Sequence, residues 1–242
     1  MSLLAHAITA APPAGALGAG LRGRPLAWAE WNGLGLWGSE WDPADRLGRD
    51  DALEHHRLVE RICAVQPCLP VRFGTAFASG DAAAASLAPR GDELRAALGR
   101  VAGRAELAVT LLWRDEGSPP QDAPLASPPG AGPGRRFLEA RRRRQSRDRQ
   151  RRERAGRLAD RLLAELAGER PLVRHEICTA NGMAVSLAVL VASDRALQRK
   201  AALERVAGSF ADVVGVVNGP WPPYSFTEMP ADEAGRTSPS TG

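Results

Sequence analysis

The sequence predicts an α+β fold in two domains, each an antiparallel sheet covered by helices. Two Asn-Gly pairs, Asn32-Gly33 and Asn181-Gly182, each lie between apolar runs, which is the pattern of a tight β-hairpin. Apolar residues at helical spacing occur around both hairpins. A segment dense in proline and glycine, residues 117–134, separates the two patterns and can neither form a sheet ladder nor bury a core.

This segment sets the predicted domain boundaries. The 242 residues suffice for two domains of ordinary size. We expect an N-terminal domain over residues 1–116, a linker over 117–134 and a C-terminal domain over 135–229. The last residues, 230–242, are polar and contain proline, and we expect them to form a disordered tail.

The elements of the first domain follow from the spacing of its apolar residues. Alternating or continuous apolar runs predict strands, and a stripe at spacings of three and four predicts a helix that Pro67 ends. A second helix has a break at Pro89-Arg90-Gly91. The strands are predicted at residues 3–8, 26–31, 34–41, 68–77 and 105–113, and the helices at 50–65 and 82–101.

The second domain opens with a long helix, residues 135–167, whose C-terminal half carries leucine and alanine on one side. Two strands, a helix and a last strand follow at residues 172–180, 183–191, 193–207 and 213–217. Ser193 is the expected cap of the second helix. This order favours an antiparallel sheet with helices on one face, a modified ferredoxin-like sandwich, although no opening strand is evident.

The positive charge of the chain is concentrated in one segment. Residues 135–161 contain 13 arginines against four acidic residues, whereas the rest of the chain holds 19 basic and 24 acidic residues. Such a segment has the charge to bind the phosphates of a nucleic acid. Residues 141–154 contain no aromatic side chain, however, and charged runs are usually solvated helix faces. We favour the solvated helix and keep nucleic-acid binding through Arg135–Arg161 as the alternative function.

No catalytic, cofactor-binding or metal-binding set is evident, and we predict a protein without enzymatic activity. His55 and His56 are adjacent on a helix, so their side chains diverge by about 100° and cannot share a metal ion. The three cysteines, Cys63, Cys68 and Cys178, have no regular spacing, and we expect buried, unpaired thiols in a reducing, cytoplasmic compartment. No apolar run approaches the roughly 20 residues that span a bilayer.

The first hairpin carries four tryptophans: Trp28, Trp31, Trp37 and Trp41. Because side chains alternate between the faces of a strand, these residues cannot all lie on one face. Trp31, Trp37 and Trp41 share sequence parity, and Trp28 does not. One or more exposed tryptophans would mark a candidate partner surface, since aromatic residues are enriched at protein interfaces.

Three stretches, in order along the chain, carry a family resemblance. The first is Leu69-Pro70-Val71-Arg72-Phe73-Gly74-Thr75, preceded on a helix by His56-x-x-Val59-Glu60. The second is Gly103-Arg104-x-Glu106-Leu107-x-Val109. The third is the octapeptide Gly219-Pro220-Trp221-Pro222-Pro223-Tyr224-Ser225-Phe226. Together these stretches resemble the motifs of the gas vesicle proteins GvpF and GvpL over nearly the whole chain.

The resemblance implies a cytoplasmic accessory protein of gas vesicle assembly with two α+β domains, no catalytic residue and no cofactor. It implies binding to the hydrophobic shell protein of the gas vesicle and to other accessory proteins, association with the vesicle, and no membrane contact. The motif residues that carry over are structural: His56, Leu69, Pro70, Arg72, Phe73, Gly74, Glu106, Gly219, Pro220, Trp221, Pro222, Tyr224 and Phe226.

These residues allow three physical predictions. Pro70 cannot donate to a sheet ladder, so its strand begins there or lies at an edge. Arg72 points away from the apolar residues of its strand and, if buried, requires a carboxylate, for which we nominate Glu106 on the neighbouring strand. The prolines of residues 219–226 stiffen that segment, which we expect to close the interface between the domains. Trp221→Ala should then lower the melting temperature, and an unchanged value would count against that interface.

Overall fold

The computed structural model of the chain describes residues 2–12, 17–114, 133–166, 172–177 and 182–227. These residues form two compact units. The first unit comprises the chain up to Ala102 and again from Pro222 onward, and the second comprises Gly103–Trp221. Both units are antiparallel sheets covered by helices, which confirms the predicted α+β class.

The first unit contains a five-stranded antiparallel sheet. Its elements are β1 (Ser2–Thr9), β2 (Leu26–Trp31), β3 (Leu34–Trp41), α1 (Arg49–Val65), β4 (Leu69–Pro70), β5 (Ala76–Phe77), α2 (Gly80–Leu87) and α3 (Gly91–Val101). The order across the sheet is β2, β3, β1, β4, and β5 also pairs with β1. The apolar N-terminal strand therefore lies inside the sheet, with neighbours on both edges.

The first hairpin forms as predicted. Asn32 and Gly33 have positive φ values of 46° and 71°, the conformation that a type I′ turn requires. Trp31 lies opposite Leu34 across this two-residue turn.

The turn decides which tryptophans share a face of the sheet. Trp28 lies opposite Trp37, and residues directly opposite each other point to the same side. Trp28, Trp37 and Trp41 therefore share one face, and Trp31 lies on the other. As expected, the four tryptophans do not all lie on one face, but sequence parity does not show which of them share a face, because the two-residue turn shifts the alternation by one residue between the strands.

The single strand expected over residues 68–77 is instead two short strands, β4 and β5, joined by a turn. The carbonyl oxygen of Arg72 accepts hydrogen bonds from the backbone N–H and the hydroxyl of Thr75. Gly74 has a φ of +87°, a value that favours glycine, so the motif itself ends the strand. β4 lies at the edge of the sheet, as Pro70 predicts.

α1 ends before Pro67 as predicted, but only the middle of its apolar stripe is buried. Leu53 and Val65, near its ends, are exposed. The second predicted helix is divided into α2 and α3 by a 3-10 turn at Ala88–Arg90, where the break was expected. The α1 residues that pack against the sheet are Leu58, Val59 and Ile62.

Cys63 and Cys68 form a disulfide, which corrects the expectation of unpaired thiols for these two residues. Cys63 lies in the last turn of α1, and Cys68 directly precedes β4. The turn at Pro67 brings their Cα atoms to 5.3 Å, a normal distance for a disulfide. Cys178 lies outside the described residues.

The second unit contains a four-stranded antiparallel sheet. Its elements are β6 (Arg104–Trp113), α4 (Pro133–Ala164), β7 (Leu172–Ile177), β8 (Met183–Ala192), α5 (Ala196–Gly208) and β9 (Val213–Trp221). The order across the sheet is β7, β8, β6, β9. The long helix and the antiparallel pairing of β7 with β8 agree with the sequence, while Asn181 of the predicted turn lies outside the described residues.

β6 corrects the predicted domain boundary. We expected it to close the first domain, but it lies between β8 and β9 and is the opening strand that the second domain lacked. The boundary therefore falls after Ala102 instead of residue 116, and the chain from Pro222 returns to the first unit. Apolar spacing identifies a strand but not the strands with which it pairs. The linker before residue 133 and the tail over 230–242 lie outside the described residues.

α4 and α5 cover one face of the second sheet and share a core with it. A 3-10 turn at Ser193–Arg195 precedes α5, so Ser193 does not occupy the cap position expected for it. Among the described residues, no helix is long and apolar enough to cross a membrane. The buried helix residues of this core include Ala155, Leu158, Leu162, Leu203 and Ala207.

Candidate functional site

The first and last motifs meet at a cavity in the first unit. The cavity has a volume of about 460 Å³. One wall comes from α1, because residues three and four positions apart share a helix face. The segment after β4 and the 3-10 turn at Tyr224–Phe226 supply the others. The lining residues are Ala52, His55, His56, Pro70, Arg72, Phe73, Tyr224 and Thr227.

A chain of hydrogen bonds fixes the rings of two buried histidines at this site. Nδ1 of His55 lies 3.0 Å from Nδ1 of His6, and Nε2 of His55 lies 3.1 Å from the carbonyl oxygen of Val71. Nε2 of His6 lies 2.9 Å from Oγ of Ser39, which accepts the backbone N–H of Leu21. A carbonyl oxygen can only accept, so His55 donates from Nε2 and accepts at Nδ1 from His6. The Ser39 hydroxyl then donates to His6, and every bond is made with both rings neutral.

The surroundings of these rings favour the neutral form. Burial, and secondarily the neighbouring His55, lowers the pKa of His6 from 6.5 to about 3. Burial lowers the pKa of His55 to about 4, and the hydrogen bond to Val71 opposes that shift. Neutral rings are the ones that the hydrogen-bond chain requires, so the electrostatics and the geometry agree.

His6 was not predicted as a site residue, and the reason lies in the pairing of β1. The register between β1 and β3 shifts between Ala5 and Ala7, which leaves His6 as an extra residue in the strand. Alternation of apolar residues cannot reveal such a bulge. Nothing in the sequence therefore links His6 to His55, which is 49 positions away.

His56 joins the two motifs at the cavity. Its ring stacks on that of Tyr224 with centroids 5.8 Å apart, and its Nδ1 lies 3.3 Å from the Tyr224 hydroxyl oxygen. Nε2 of His56 lies 3.4 Å from the Glu60 carboxylate. On the opposite motif, Phe73 packs edge-on against His55 with centroids 5.4 Å apart. The cavity is thus lined by rings that hold one another in place.

Arg72 is exposed at the cavity, so the condition under which it would require a carboxylate partner is not met. Its guanidinium makes no hydrogen bond or ion pair with another of the residues that the structure describes. Glu106, the expected partner, is buried in β6 of the second unit, and β6 is not a neighbour of β4. Arg72 is therefore the charged group of the cavity that remains available for a ligand.

The closing octapeptide spans the boundary between the two units. Gly219, Pro220 and Trp221 end β9, whereas the chain from Pro222 belongs to the first unit. Gly219 has a φ of +104°, and a Cβ there would lie 2.5 Å from the carbonyl oxygen of Glu106, so only glycine fits. The role of this segment at a domain interface stays a prediction. The motif residues of the first unit that are buried are Leu69, Pro70, Pro222 and Phe226.

The tryptophans do not form the candidate partner surface, because the structure buries them. Trp31, Trp37 and Trp41 are 7%, 8% and 4% exposed. Trp28 is half-buried, with its ring so close to Gly35 that no side chain would fit there. Trp37 also donates from Nε1 to the Thr9 hydroxyl at 3.1 Å. These residues build the core of the first unit.

The second unit presents an apolar surface on the sheet face opposite its helices. On the helix side, Val109 and Val217 lie in the core. The alternate residues point the other way, where Leu112 lies opposite Val214. Leu112, Val214 and Val216 are 39%, 46% and 43% exposed. We call these three residues the open-face patch.

α4 carries an exposed basic stretch. Every side chain from 141 to 154 is exposed. Within it, Arg149 pairs with Glu153 at 2.9 Å, and Arg154 pairs with Asp212 at 2.5 Å. The other arginines make no ion pair with a described residue: Arg141, Arg142, Arg143, Arg144, Arg147, Arg151 and Arg152.

No three histidine, cysteine or acidic side chains come close enough to hold a metal ion, within the ranges that the structure describes. The polar side chains of the cavity wall are hydrogen-bonded to other groups of the protein, apart from the guanidinium of Arg72. The arrangement is suited to binding an apolar group with a negative charge.

The chain is similar to proteins of one family. The family described as gas vesicle synthesis protein GvpL/GvpF matches residues 3–228. The crystal structure of the gas vesicle protein GvpF from Anabaena sp. PCC7120 is 18% identical, with a TM-score of 0.74 over 94% of this chain and 96% of that one. The crystal structure of GvpF from Microcystis aeruginosa is 16% identical, with a TM-score of 0.74 over 94% of this chain and 99% of that one.

At such identities the two crystal structures show the fold alone. No curated protein sequence matches this chain. The family match, in contrast, includes the cavity motif, the open-face patch and the closing octapeptide. Because it extends over nearly all of the 242 residues, the chain belongs to the GvpL/GvpF family of gas vesicle synthesis proteins.

Proposed function

We propose that this protein is a non-catalytic accessory protein that binds the hydrophobic gas vesicle shell protein and other accessory proteins, and holds the shell protein for addition to the growing vesicle in the cytoplasm. Membership of the family supports a role in gas vesicle synthesis. The observation that carries the binding proposal is the open-face patch of the second unit.

The open face of an antiparallel sheet is ordinarily polar, because it meets water. Here Leu112, Val214 and Val216 expose two-fifths or so of their surface on that face. Exposed apolar clusters mark interaction surfaces. β9 also lies at the edge of its sheet, and no strand of the described residues pairs with its outer edge, which is the kind of edge that accepts an added strand. Both features suit a partner that is apolar and prone to aggregate.

Retention of the shell protein on the immobilised chain tests this proposal. The double variant Val214→Lys/Val216→Lys places two charges on the open-face patch and should abolish retention. Leu197→Lys is the matched control, because Leu197 is 71% exposed on α5, which covers the opposite face of the sheet. Retention by a folded double variant at the wild-type level would overturn the proposal.

The basic stretch of α4 supports the alternative function, nucleic-acid binding. Its seven arginines that make no ion pair with a described residue lie between Arg141 and Arg152, along roughly 18 Å of helix. Phosphate contacts would make the affinity for generic duplex DNA fall steeply as the salt concentration rises. Replacing Arg143, Arg147 and Arg151 by glutamine should then flatten the salt dependence. DNA binding that is absent at low salt would remove this alternative.

A further inference from the structure

The cavity of the first unit has preformed aromatic walls. The His55 ring is held at both nitrogens, by His6 and by the carbonyl of Val71. Phe73 lies edge-on to that ring, and Tyr224 is stacked on His56 with an interplanar angle of 29°. A ligand would therefore meet rigid, flat, largely apolar surfaces and would not need to order them.

The polar atoms of these walls are already used. Both nitrogens of His55 and both of His56 have partners, and the Thr227 hydroxyl donates to the carbonyl oxygen of Tyr224 at 2.9 Å. Arg72 is the exception, since its exposed guanidinium has no partner among the described residues. The group of the cavity that is available to a ligand is therefore a cation, which favours a ligand with a negative charge.

We infer that the cavity binds an aromatic side chain next to a carboxylate, with the ring between Phe73 and Tyr224 and the carboxylate on the Arg72 guanidinium. The planar fork of arginine matches a carboxylate, and such charge-assisted hydrogen bonds are the strong ones. The volume of about 460 Å³ falls within the roughly 300–1,000 Å³ of ordinary ligand pockets. This inference does not depend on the open-face patch, which lies in the other unit.

The carboxylate has two sources in a polypeptide, the chain terminus and a neighbouring acidic side chain. N-acetylphenylalanine presents the first, and N-acetylglutamylphenylalaninamide presents the second. N-acetylphenylalaninamide keeps the ring and removes the charge. We expect one or both acids to bind, and the neutral amide to bind about tenfold more weakly, the ratio that corresponds to one charge-assisted hydrogen bond.

Tyr224 provides a specific readout, because it is the single tyrosine of the chain. Protein labelled with ¹³C in its tyrosine ring gives NMR signals from the cavity wall alone. Titration of the full chain with each acid should shift these signals. Binding that leaves the Tyr224 signals in place would lie elsewhere and would overturn the inference.

Arg72→Met tests the charge, since it keeps a flexible, unbranched stem and removes the guanidinium. The variant should lose the preference for the acids over the amide and keep its melting temperature, because Arg72 is exposed. Arg57→Met, an exposed position on α1 outside the cavity lining, is the matched control and should keep the preference. Equal binding of acid and amide by the wild type, a preference that survives Arg72→Met, or no binding of either acid would each overturn the inference.

Discussion

The Nδ1 atoms of His6 and His55 lie 3.0 Å apart in the interior of the first unit, and both rings are almost completely buried. Between two neutral imidazoles this contact is one hydrogen bond, donated by His6. A proton added to His55 at Nδ1 would set two N–H groups against each other. The pair therefore links the fold of the first unit to the protonation of two side chains.

The first prediction is a loss of stability at mildly acidic pH. The pKa values of His6 and His55 fall from 6.5 to about 3 and about 4 on folding, so the unfolded chain binds more protons below pH 6.5. The stability is complete above that value and declines as the pH falls toward the folded values, by about 1.4 kcal/mol per pH unit for each histidine. Denaturant unfolding between about pH 7 and pH 5 measures this slope.

His6→Gln should reduce that slope by about half, because it removes one of the two titrating rings. The variant should also be less stable than the wild type at pH values where both rings are neutral, since Gln cannot reproduce both bonds of His6. Equal slopes for the wild type and the variant would show that the pair does not control the acid sensitivity.

The second prediction concerns the start of α1. Asp51 accepts two hydrogen bonds from Arg22, at 2.6 and 2.7 Å, and one from the backbone N–H of Gly48 at 2.7 Å. These bonds hold the pKa of Asp51 at about 2. Asp51→Asn should lower the free energy of unfolding by about 1 kcal/mol or more, the usual loss at a helix N-terminus. Asp50→Asn, an exposed acid in the same turn, should have little effect, and similar losses in the two variants would contradict this role.

The local elements could be predicted from the sequence because their causes are local. Asn32-Gly33 fixes a two-residue turn, Pro67 follows the end of α1, and Pro89 lies in the turn that separates α2 from α3. The pairing of distant strands has no such signature. β6 therefore looked like the end of one domain when it is the first strand of the next.

At the candidate site, too, the residues of local motifs could be predicted and the contacts that depend on long-range strand pairing could not. The motif residues His56, Arg72 and Tyr224 could be named from the sequence, and they meet at the cavity. That Arg72 is exposed and Glu106 belongs to the other unit depends on long-range pairing. His6 could not be found, because only the bulge in β1 leaves it as the extra residue that meets His55.

The third prediction is a count of thiols. The chain has three cysteines, and two of them, Cys63 and Cys68, form the disulfide. Protein purified without reductant and then denatured should have one reactive thiol, and reduction should raise the count to three. Cys63→Ser removes the disulfide that closes this short loop. Its free energy of unfolding should therefore be about 2 kcal/mol lower than that of Cys178→Ser. Three reactive thiols before reduction would contradict the bond and favour the reducing compartment expected from the sequence.

The last prediction concerns Gly219, where β9 approaches β6. Its φ of +104° strains any other residue, and an added Cβ would lie 2.5 Å from the carbonyl oxygen of Glu106, a backbone atom that cannot rotate away. Gly219→Ala should therefore lower the free energy of unfolding by about 2 kcal/mol or more. Gly99→Ala is the matched control.

Gly99 lies in α3, and a Cβ there has nothing within 4 Å. Alanine should stabilise that helix by about 0.5–1 kcal/mol, because glycine is the weaker helix former. Denaturant unfolding of the two variants beside the wild type measures both effects. If Gly219→Ala were as stable as the wild type, the close approach of β9 to Glu106 could not be a fixed feature of the second sheet, and the octapeptide would not need its first glycine.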